Sequence, residues 1–419
     1  MAAGDELLPL AGMRVLDLSR ALSGPFCAAI LGDFGADVIK VEPTPNGDMI
    51  RGWGPFDRGE SAYYLSGNRN KRGIGVNFRS EEGRGLLREM ALKSDVVIEN
   101  FKPGVLSEIG LDPDELRAEK SALIVASLSG FGSSGPLGER PGFDQIAQGY
   151  SGFMSFTGTP ESGPTRVGVA IGDLTAGMWL SIGVMAAWAK RVKTGQGSLV
   201  ETSLLASLFS LLSVQGQRYL SLGEVARPSG NVHPVISPYG VFRSKDGSLN
   251  ICAATQEMWV KLCDTIGAPE LSKNERFTDN ARRMVHRAEL VEIIERHLGR
   301  KTAKEWTEDF IAVGIPAGPI NDISDAVNDK QVEYLGLVET VIHPALGPIK
   351  QISNPLQIDG RSGAWIRLPP PVLGQHTREV LREFDFEPTR IASWEDRGVI
   401  YQKDPAAAPR SLGKLVDTA

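Results

Sequence analysis

The sequence predicts an α/β fold with a parallel sheet covered on both faces, on three observations. Short β-rich runs recur through the first half of the chain, helical stretches separate them, and the composition is that of a globular protein with room for two or three domains.

In order, Arg14–Leu18 (RVLDL) reads as a short apolar strand, followed by the turn Ser19–Pro25 (SRALSGP). A helix starts near Pro25, whose missing N–H is no loss in a first turn, and runs through FCAAILGDFG. Asp37–Glu42 is the next strand. Gly73–Phe78, Val96–Glu99 and Leu123–Ser127 follow as strands, with a helix over Glu81–Leu92. From about Asp173 to Leu222 two long apolar helices are expected, joined by KTGQGSLVETS. The most apolar stretch, Leu174–Ala189, contains Thr175, Ser181 and several small residues. It falls short of the roughly 18–20 uninterrupted apolar residues that span a bilayer, so it reads as a buried core helix. Pro, Gly and Ser gather at Arg227–Pro238 and mark a loop or linker. A smaller α+β unit follows, with a strand at Ser248–Ala253 and helices at Gln256–Ile266 and His286–Leu298. The next helix opens with Thr302-Ala-Lys-Glu305, a capping box. From Ala317 turns and strands return, a helix follows Gly374, and the last twenty residues read as frayed.

The 419 residues carry 51 acidic and 45 basic side chains, a formal charge of −6, and 42% are hydrophobic. That excludes a disordered tail, a collagen-like fibre and a disulfide scaffold. No strongly basic domain is present to neutralise phosphates, so no nucleic-acid partner is expected. Cys27, Cys252 and Cys263 form no C-x-x-C pair, which argues against disulfides and structural zinc. The N-terminus MAAGDELLPLAG resembles neither a mitochondrial presequence nor a secretory signal, and the C-terminal tripeptide is no peroxisomal address. A cytoplasmic protein without a membrane partner is the expectation.

Three constellations bear on chemistry. The opening strand, turn, helix and second strand resemble a dinucleotide fold, but Ser23-Gly24-Pro25 replaces the G-x-G-x-x-G that lets a pyrophosphate approach the backbone, so no bound redox cofactor is expected. The five histidines include no pair at metal-ligand spacing on one helix, and no G-x-S-x-G elbow occurs, so neither a metal nor a serine hydrolase is expected. His233, in the Pro/Gly-rich loop, remains a candidate site residue. The third is Asp173, in RVGVAIGDLTAGMW, where a Gly-rich stretch delivers an acid to the start of the most apolar helix. Asp173 reads either as an N-cap or as a carboxylate nucleophile held near a helix N-terminus, with small neighbours leaving room for a substrate.

Longer segments resemble one family, the class III CoA-transferases (CaiB/BaiF). The likeness runs through LPLAGMRVLDLSRALSGPFCAAILGDFGADVIKVE, NGDMIRGWGPF, YYLSGNRNKRGIGVNF, VVIENFKPGVLSEIGL, SLSGFGSSGP, GFDQIAQGYSG, VGVAIGDLTAGMW, KTGQGSLVETSLL, GIPAGPIND and PPPVLGQHT, from about Leu8 to Thr377. The resemblance implies that Asp173 attacks an acyl-CoA thioester to form a mixed anhydride, then an aspartyl-CoA thioester. Acyl-CoA is thus a substrate, and water is the hazard a dry lining must exclude. It also implies a Rossmann-like large domain formed by both chain ends (residues 1–222 and 317–419), an inserted small α+β domain (223–316), and an interlocked homodimer.

For CoA binding the resemblance points to Asn70, Lys71, Arg72, Val76, Asn100, Phe101 and Lys102. The sequence departs from the family where a CoA arginine can follow the second strand, here Val41-Glu42-Pro43-Thr44, and where Glu108 takes the place of a basic residue. A sister branch of α-methylacyl-CoA racemases reads Gly-His-Asp where this chain has Gly142-Phe143-Asp144; Phe143 cannot carry a proton, which favours transfer over racemisation. Asp144 remains as a second carboxylate near the site. Trp53, in NGDM-x-RGW, is shared with the formyl-CoA/oxalate branch, but Leu22 replaces its glutamine and Asn231–Pro238 replaces its glycine lid. The sequence looks closer to succinyl-CoA:dicarboxylate transferases, which implies succinyl-CoA as donor, a C4–C5 diacid as acceptor, and Arg166, Arg51 or His233 as candidates to hold the distal carboxylate.

Overall fold

In the computed structural model, which describes residues 8–138, 140–360 and 363–403, six short runs lie side by side as parallel strands. These are β1 (Arg14–Asp17), β2 (Asp37–Pro43), β3 (Lys71–Val76), β4 (Val96–Glu99), β5 (Ile124–Ser129) and β6 (Leu199–Ser203). Their order is β3-β2-β1-β4-β5-β6, and Ile400–Tyr401 pairs antiparallel with β3 as the seventh strand. From β1 the chain builds outward through β2 and β3, then reverses to add β4, β5 and β6 on the other side. The reversal opens a crevice at the carboxyl ends of β1 and β4, the place where open α/β sheets bind ligands.

Alternation along each strand sorts its side chains onto two faces. Leu16, Ile39, Ile74, Val97 and Val125 share one core with residues Leu86, Leu87 and Met90. Val15, Val38, Val96, Ile98 and Ala126 face the other way, under α1 (Ser23–Asp33) and a long helix at Ile171–Thr194. In chain order the remaining helices used here are α2 (Glu81–Leu92), α3 (Asp144–Tyr150), α4 (Ile171–Thr194), α5 (Leu204–Ser210) and α6 (Ser213–Leu222). α4 is long and apolar enough to cross a membrane by length and composition. Its Ala176, Leu180, Val184 and Ala187 are nevertheless buried in the core beneath the sheet.

Several boundaries differ from expectation for local reasons. α1 begins at Ser23, two residues before Pro25. The joining sequence KTGQGSLVETS contains the edge strand β6, whose residues are mostly exposed or half-buried and so lack an apolar signature. The second apolar helix is divided, because Ser213, the first residue of α6, adopts a φ of +42°.

The chain divides into two units: residues 1–153, 166–223 and 330–419 form the first, and 154–165 with 224–329 form the second. The return to the first unit therefore comes at Lys330 instead of Ala317. The reason is pairing: Ala317–Pro319 (β9) lies antiparallel to Ser248–Cys252 (β8), which pairs with Tyr239–Arg243 (β7). The second unit packs its own core around Trp259, Phe277, Leu290, Trp306 and Phe310. Its capping box is formed, with the Thr302 N–H donating to Glu305 Oε2 at 2.8 Å. Residues 1–7, read above for targeting signals, and 404–419, read as frayed, lie outside the described residues.

Candidate active site

Asp173 is the third residue of α4, and Ala170 occupies the capping position without a side-chain cap. Asp173 is therefore not the N-cap that one reading of the sequence made it. The cap comes from α3: Asp144 Oδ1 accepts the Gly172 N–H at 2.7 Å. Asp144 Oδ2 accepts from Gln148 Nε2 at 2.6 Å, and Gln148 Oε1 accepts the Val167 N–H at 3.0 Å. Gly172 has to be glycine for this approach, since a Cβ there would meet Asp144 Oδ1 and Leu208 Cδ1, each at 2.9 Å.

Gly177, one turn further on, lets α1 close on α4; a Cβ at that position would lie 2.6 Å from the Ser23 carbonyl oxygen. The contact places Ser23 beside the start of α4, where its hydroxyl favours the ionised form of Asp173. Asp173 is half-buried, and burial, reinforced by the negative charge of Asp144, pushes its carboxyl up to about 7 against the opposing pull of the Ser23 hydroxyl. Near neutral pH the group is thus divided between its two forms. Its anion is poorly solvated, a condition that favours nucleophilic attack.

The turn that presents Ser23 rests on a buried ionic floor. Asp17, at the end of β1, accepts from the Ser19 N–H at 3.0 Å and from Lys71 Nζ at 2.9 Å. Lys71 Nζ also donates to Pro25 O at 2.8 Å and Asn68 Oδ1 at 3.0 Å. Lys40 bonds the Ser19 carbonyl and lies 3.2 Å from Asp48 Oδ2. Asp48 Oδ1 in turn accepts the Ala21 N–H at 3.1 Å, tying the turn Met49–Gly52, which leads into Trp53, to the loop before Ser23. Burial would raise the Asp17 carboxyl, but Lys40, Lys71 and Ser19 outweigh it and hold it below the usual carboxylate range. Burial brings Lys71 down to about 8, with the neighbouring Lys40 charge adding to the effect.

These contacts correct the expectation that the Asn70–Arg72 run faces CoA phosphates. Lys71 is 0% exposed and its three donors are used within the fold. Arg72 forks onto Asp37 at 2.9 and 3.1 Å and also holds Glu379 and Glu383. Asn70 is buried at φ +59° and bonds Asp33, the Trp365 carbonyl and the Arg367 and Leu368 N–H groups. Val76 is a core residue of β3. Arg51 is likewise committed, bidentate to Glu42 at 2.6 and 2.7 Å with its guanidinium 3.5 Å above the Tyr64 ring.

Other expected residues do border the crevice. Asn100 bridges it, accepting the Arg20 N–H and donating to the Arg20 carbonyl, each at 2.7 Å. Phe101 carries the Arg20 guanidinium 5.0 Å above its ring. Phe101 and the exposed Lys102 line a cavity of about 390 Å³ with Glu99, Leu106, Ser127 and Glu201. This cavity lies on the α2 side of the sheet, opposite α1 and α4. Burial there pushes Glu99 up to about 7, helped by the charge of Glu201. Leu22 immediately precedes α1, Trp53 is partly exposed edge-on to Tyr63, and Phe143 is exposed just before α3. Arg166 is exposed and donates to Val167 O at 3.1 Å. His233 belongs to the second unit, its ring stacked 4.7 Å from Tyr239. Among the described residues no three His, Cys, Asp or Glu side chains group as metal ligands.

Ser23, Gln148, Lys40 and Asp48 were not singled out from the sequence. Ser23 carried a faint signal, a hydroxyl just before Pro25 at a helix start. The others reach the site through contacts 8 to 27 residues apart, Lys40 with Asp48, Gln148 with the Val167 N–H and Asp48 with the Ala21 N–H, for which no local pattern exists.

Comparison with known proteins places this geometry in context. The family CoA-transferase family III matches residues 10–377. The succinyl-CoA:glutarate CoA-transferase of Mus musculus is 39% identical over 380 residues, covering 90% of this chain and 87% of that protein. The acetyl-CoA:oxalate CoA-transferase of Acetobacter aceti is 35% identical over 377 residues, covering 90% and 96%. Among solved structures, a CAIB/BAIF family protein from Brucella suis superposes with a TM-score of 0.82 at 36% identity, covering 90% of this chain and all of that one.

Proposed function

The chain belongs to CoA-transferase family III and is an enzyme of that family, and from this premise we propose that it moves CoA from succinyl-CoA to a C4–C5 dicarboxylate through a covalent intermediate on Asp173. The observation that carries the reading is the place of Asp173: half-buried in the first turn of α4, a turn that Asp144 holds through the Gly172 N–H at 2.7 Å, with its carboxyl raised by burial to about 7.

The ionised Asp173 attacks the thioester carbonyl of succinyl-CoA, forming a succinyl-aspartyl anhydride and releasing CoA thiolate. The thiolate attacks the aspartyl carbonyl of the anhydride, giving an aspartyl-CoA thioester and free succinate. The acceptor carboxylate then attacks that thioester, the thiolate leaves, and it returns to the acceptor's carbonyl in the new anhydride, freeing Asp173. Each step exchanges one activated acyl bond for another, so the driving force of the thioester is kept unless water intervenes. Burial of Asp173 serves that exclusion. The N–H groups at the start of α1, which has no side-chain cap, are donors suited to a developing oxyanion.

Phe101 and Lys102 are the CoA contacts this reading retains, Lys102 as the cation near phosphate. A dicarboxylate acceptor is supported by the named activities of the relatives, and Leu22 favours a longer diacid than oxalate. With Arg51 committed to Glu42, Arg166 remains a candidate for the distal carboxylate. A second copy of the chain completes the assembly in this reading. The outer side of α4 exposes Met178, Trp179 and Ile182, and α5 and α6 expose Phe209, Val214 and Leu220, apolar side chains that a second copy would cover.

Trapping tests the function directly. After incubation with succinyl-CoA, hydroxylamine or borohydride should leave a modification at Asp173 by mass spectrometry, and a panel of acceptor acids then identifies the substrate. Deuterium uptake at the α-carbon of a 2-methylacyl-CoA in D₂O, with no acceptor present, would instead establish the racemase chemistry of the sister branch.

A further inference from the structure

A continuous hydrogen-bonded chain of side chains spans the segment that leads into Asp173. It runs from the Val167 N–H to Gln148 Oε1, from Gln148 Nε2 to Asp144 Oδ2, and from Asp144 Oδ1 to the Gly172 N–H, at 3.0, 2.6 and 2.7 Å. Gln148 is 0% and Asp144 9% exposed, so bulk water cannot replace these bonds. Asp144 and Gln148 stand four residues apart on α3, the spacing that puts two side chains on one helix face. The segment they grip, from Val167 to the start of α4, has no regular structure of its own. Both of its ends are therefore set by one pair of side chains.

The geometry points to Gln148 as a positioning residue that works through Asp144: together they hold the first turn of α4 and fix where the Asp173 carboxylate stands and which charge it faces. The inference rests on the reading of Asp173 as acyl carrier. It assigns Asp144 a structural and electrostatic task in place of contact with substrate. The surroundings are sparse in charge. Against the start of α4, α1 presents the Ser23 hydroxyl, α5 presents Leu208, and α3 presents Asp144, the one charged group bearing on Asp173 among the described residues. The basic residues of α4, Lys190, Arg191 and Lys193, lie in its last turns.

The direction of each bond makes the pair testable. Residue 144 must accept twice, while residue 148 must donate once and accept once. In Asp144→Asn an amide N–H faces the Gln148 amide N–H, and in Gln148→Glu two carboxylates meet. The double variant Asp144→Asn/Gln148→Glu satisfies every bond again. Its amide at position 144 accepts from the Gly172 N–H and donates to the carboxylate at position 148, which also accepts from the Val167 N–H. The negative charge is then one side chain further from Asp173.

Loading of Asp173 from succinyl-CoA, followed by intact-mass spectrometry across pH, reads the outcome. Each single variant should lose about 10–100-fold in the loading rate, the scale of a misplaced reacting group. The double variant should recover to within about threefold of the parent at its optimum, while the acidic limb of its pH profile moves down by about one pH unit as the like charge recedes. A double variant as impaired as the singles, or a limb that does not move, overturns the inference. A parent enzyme that loads normally beside such a result leaves the CoA-transfer reading standing. Absence of any Asp173 adduct in the parent overturns both.

Discussion

Ser23, the first residue of α1, stands against the start of α4, and its hydroxyl favours the ionised form of Asp173, the third residue of α4. Gly177 lets the two helices come this close, since a Cβ there would lie 2.6 Å from the Ser23 carbonyl oxygen. Burial and the charge of Asp144 disfavour the ionised carboxylate. The balance at about 7 is a compromise between an anion reactive enough to attack and one populated enough to matter.

Replacing Ser23 by Ala removes the contribution that lowers the Asp173 pKa. The carboxyl then rises above about 7, its ionised fraction at neutral pH falls, and the acidic limb of the loading rate moves to higher pH. Single-turnover loading at pH 7 should drop by about tenfold, with partial recovery at pH 9. An unmoved limb would show that Ser23 does not govern ionisation.

In the parent protein, loading should fall about tenfold for each pH unit below about 7, since only the anion attacks. Stopped-flow or quench measurement of CoA release without acceptor isolates this step from later ones.

Asp173→Asn should abolish transfer yet stabilise the fold at high pH. A carboxyl whose folded pKa exceeds its unfolded value of 3.8 loses stability as pH rises from about 4 to about 7, and above that the full cost is present. Asn keeps an acceptor for Ser23 and avoids the cost. The gain at pH 8, discounted for a half-buried site, is about 1–2 kcal/mol and should vanish below pH 4 in urea titrations.

Lys71→Met leaves Asp17 without its 2.9 Å partner inside a closed core. Loss of one member of a buried ion pair costs about 3–5 kcal/mol, measurable by urea denaturation. A substitution that instead left stability unchanged and weakened CoA binding would return Lys71 to the phosphate role suggested by sequence.

Trp179→Glu with Ile182→Glu places two charges on the outer side of α4, where both positions are about half exposed in the single chain. Sedimentation or light scattering should show the parent as a dimer and this variant as a monomer. A variant that stays dimeric would locate the interface elsewhere.

Much of this enzyme was open to reading along the chain, because its signals are local. β-rich runs separated by helices determine an α/β sheet, since each strand and each helix is recognisable over a few consecutive residues. The Gly-rich approach to an acid at the head of an apolar helix marked Asp173 for the same reason. The edge strand β6 escaped because one-sided burial leaves an alternating, half-polar sequence that resembles a linker. The fate of the basic run at residues 70–72 could not be read at all. A lysine in solvent and a lysine closed over Asp17 have the same local sequence, and only the placing of β1 and β3 on either side of β2, which brings together two residues 54 apart, decides which occurs. The same holds for Gln148, and for the hold that Asp144, legible only as a second carboxylate, takes on the Gly172 N–H. Chain identity supplied the donors and acceptors, whereas the close approach of α1 and α3 to the start of α4 determined which of them meet, because hydrogen bonds and desolvation act over a few ångströms of space and not along sequence.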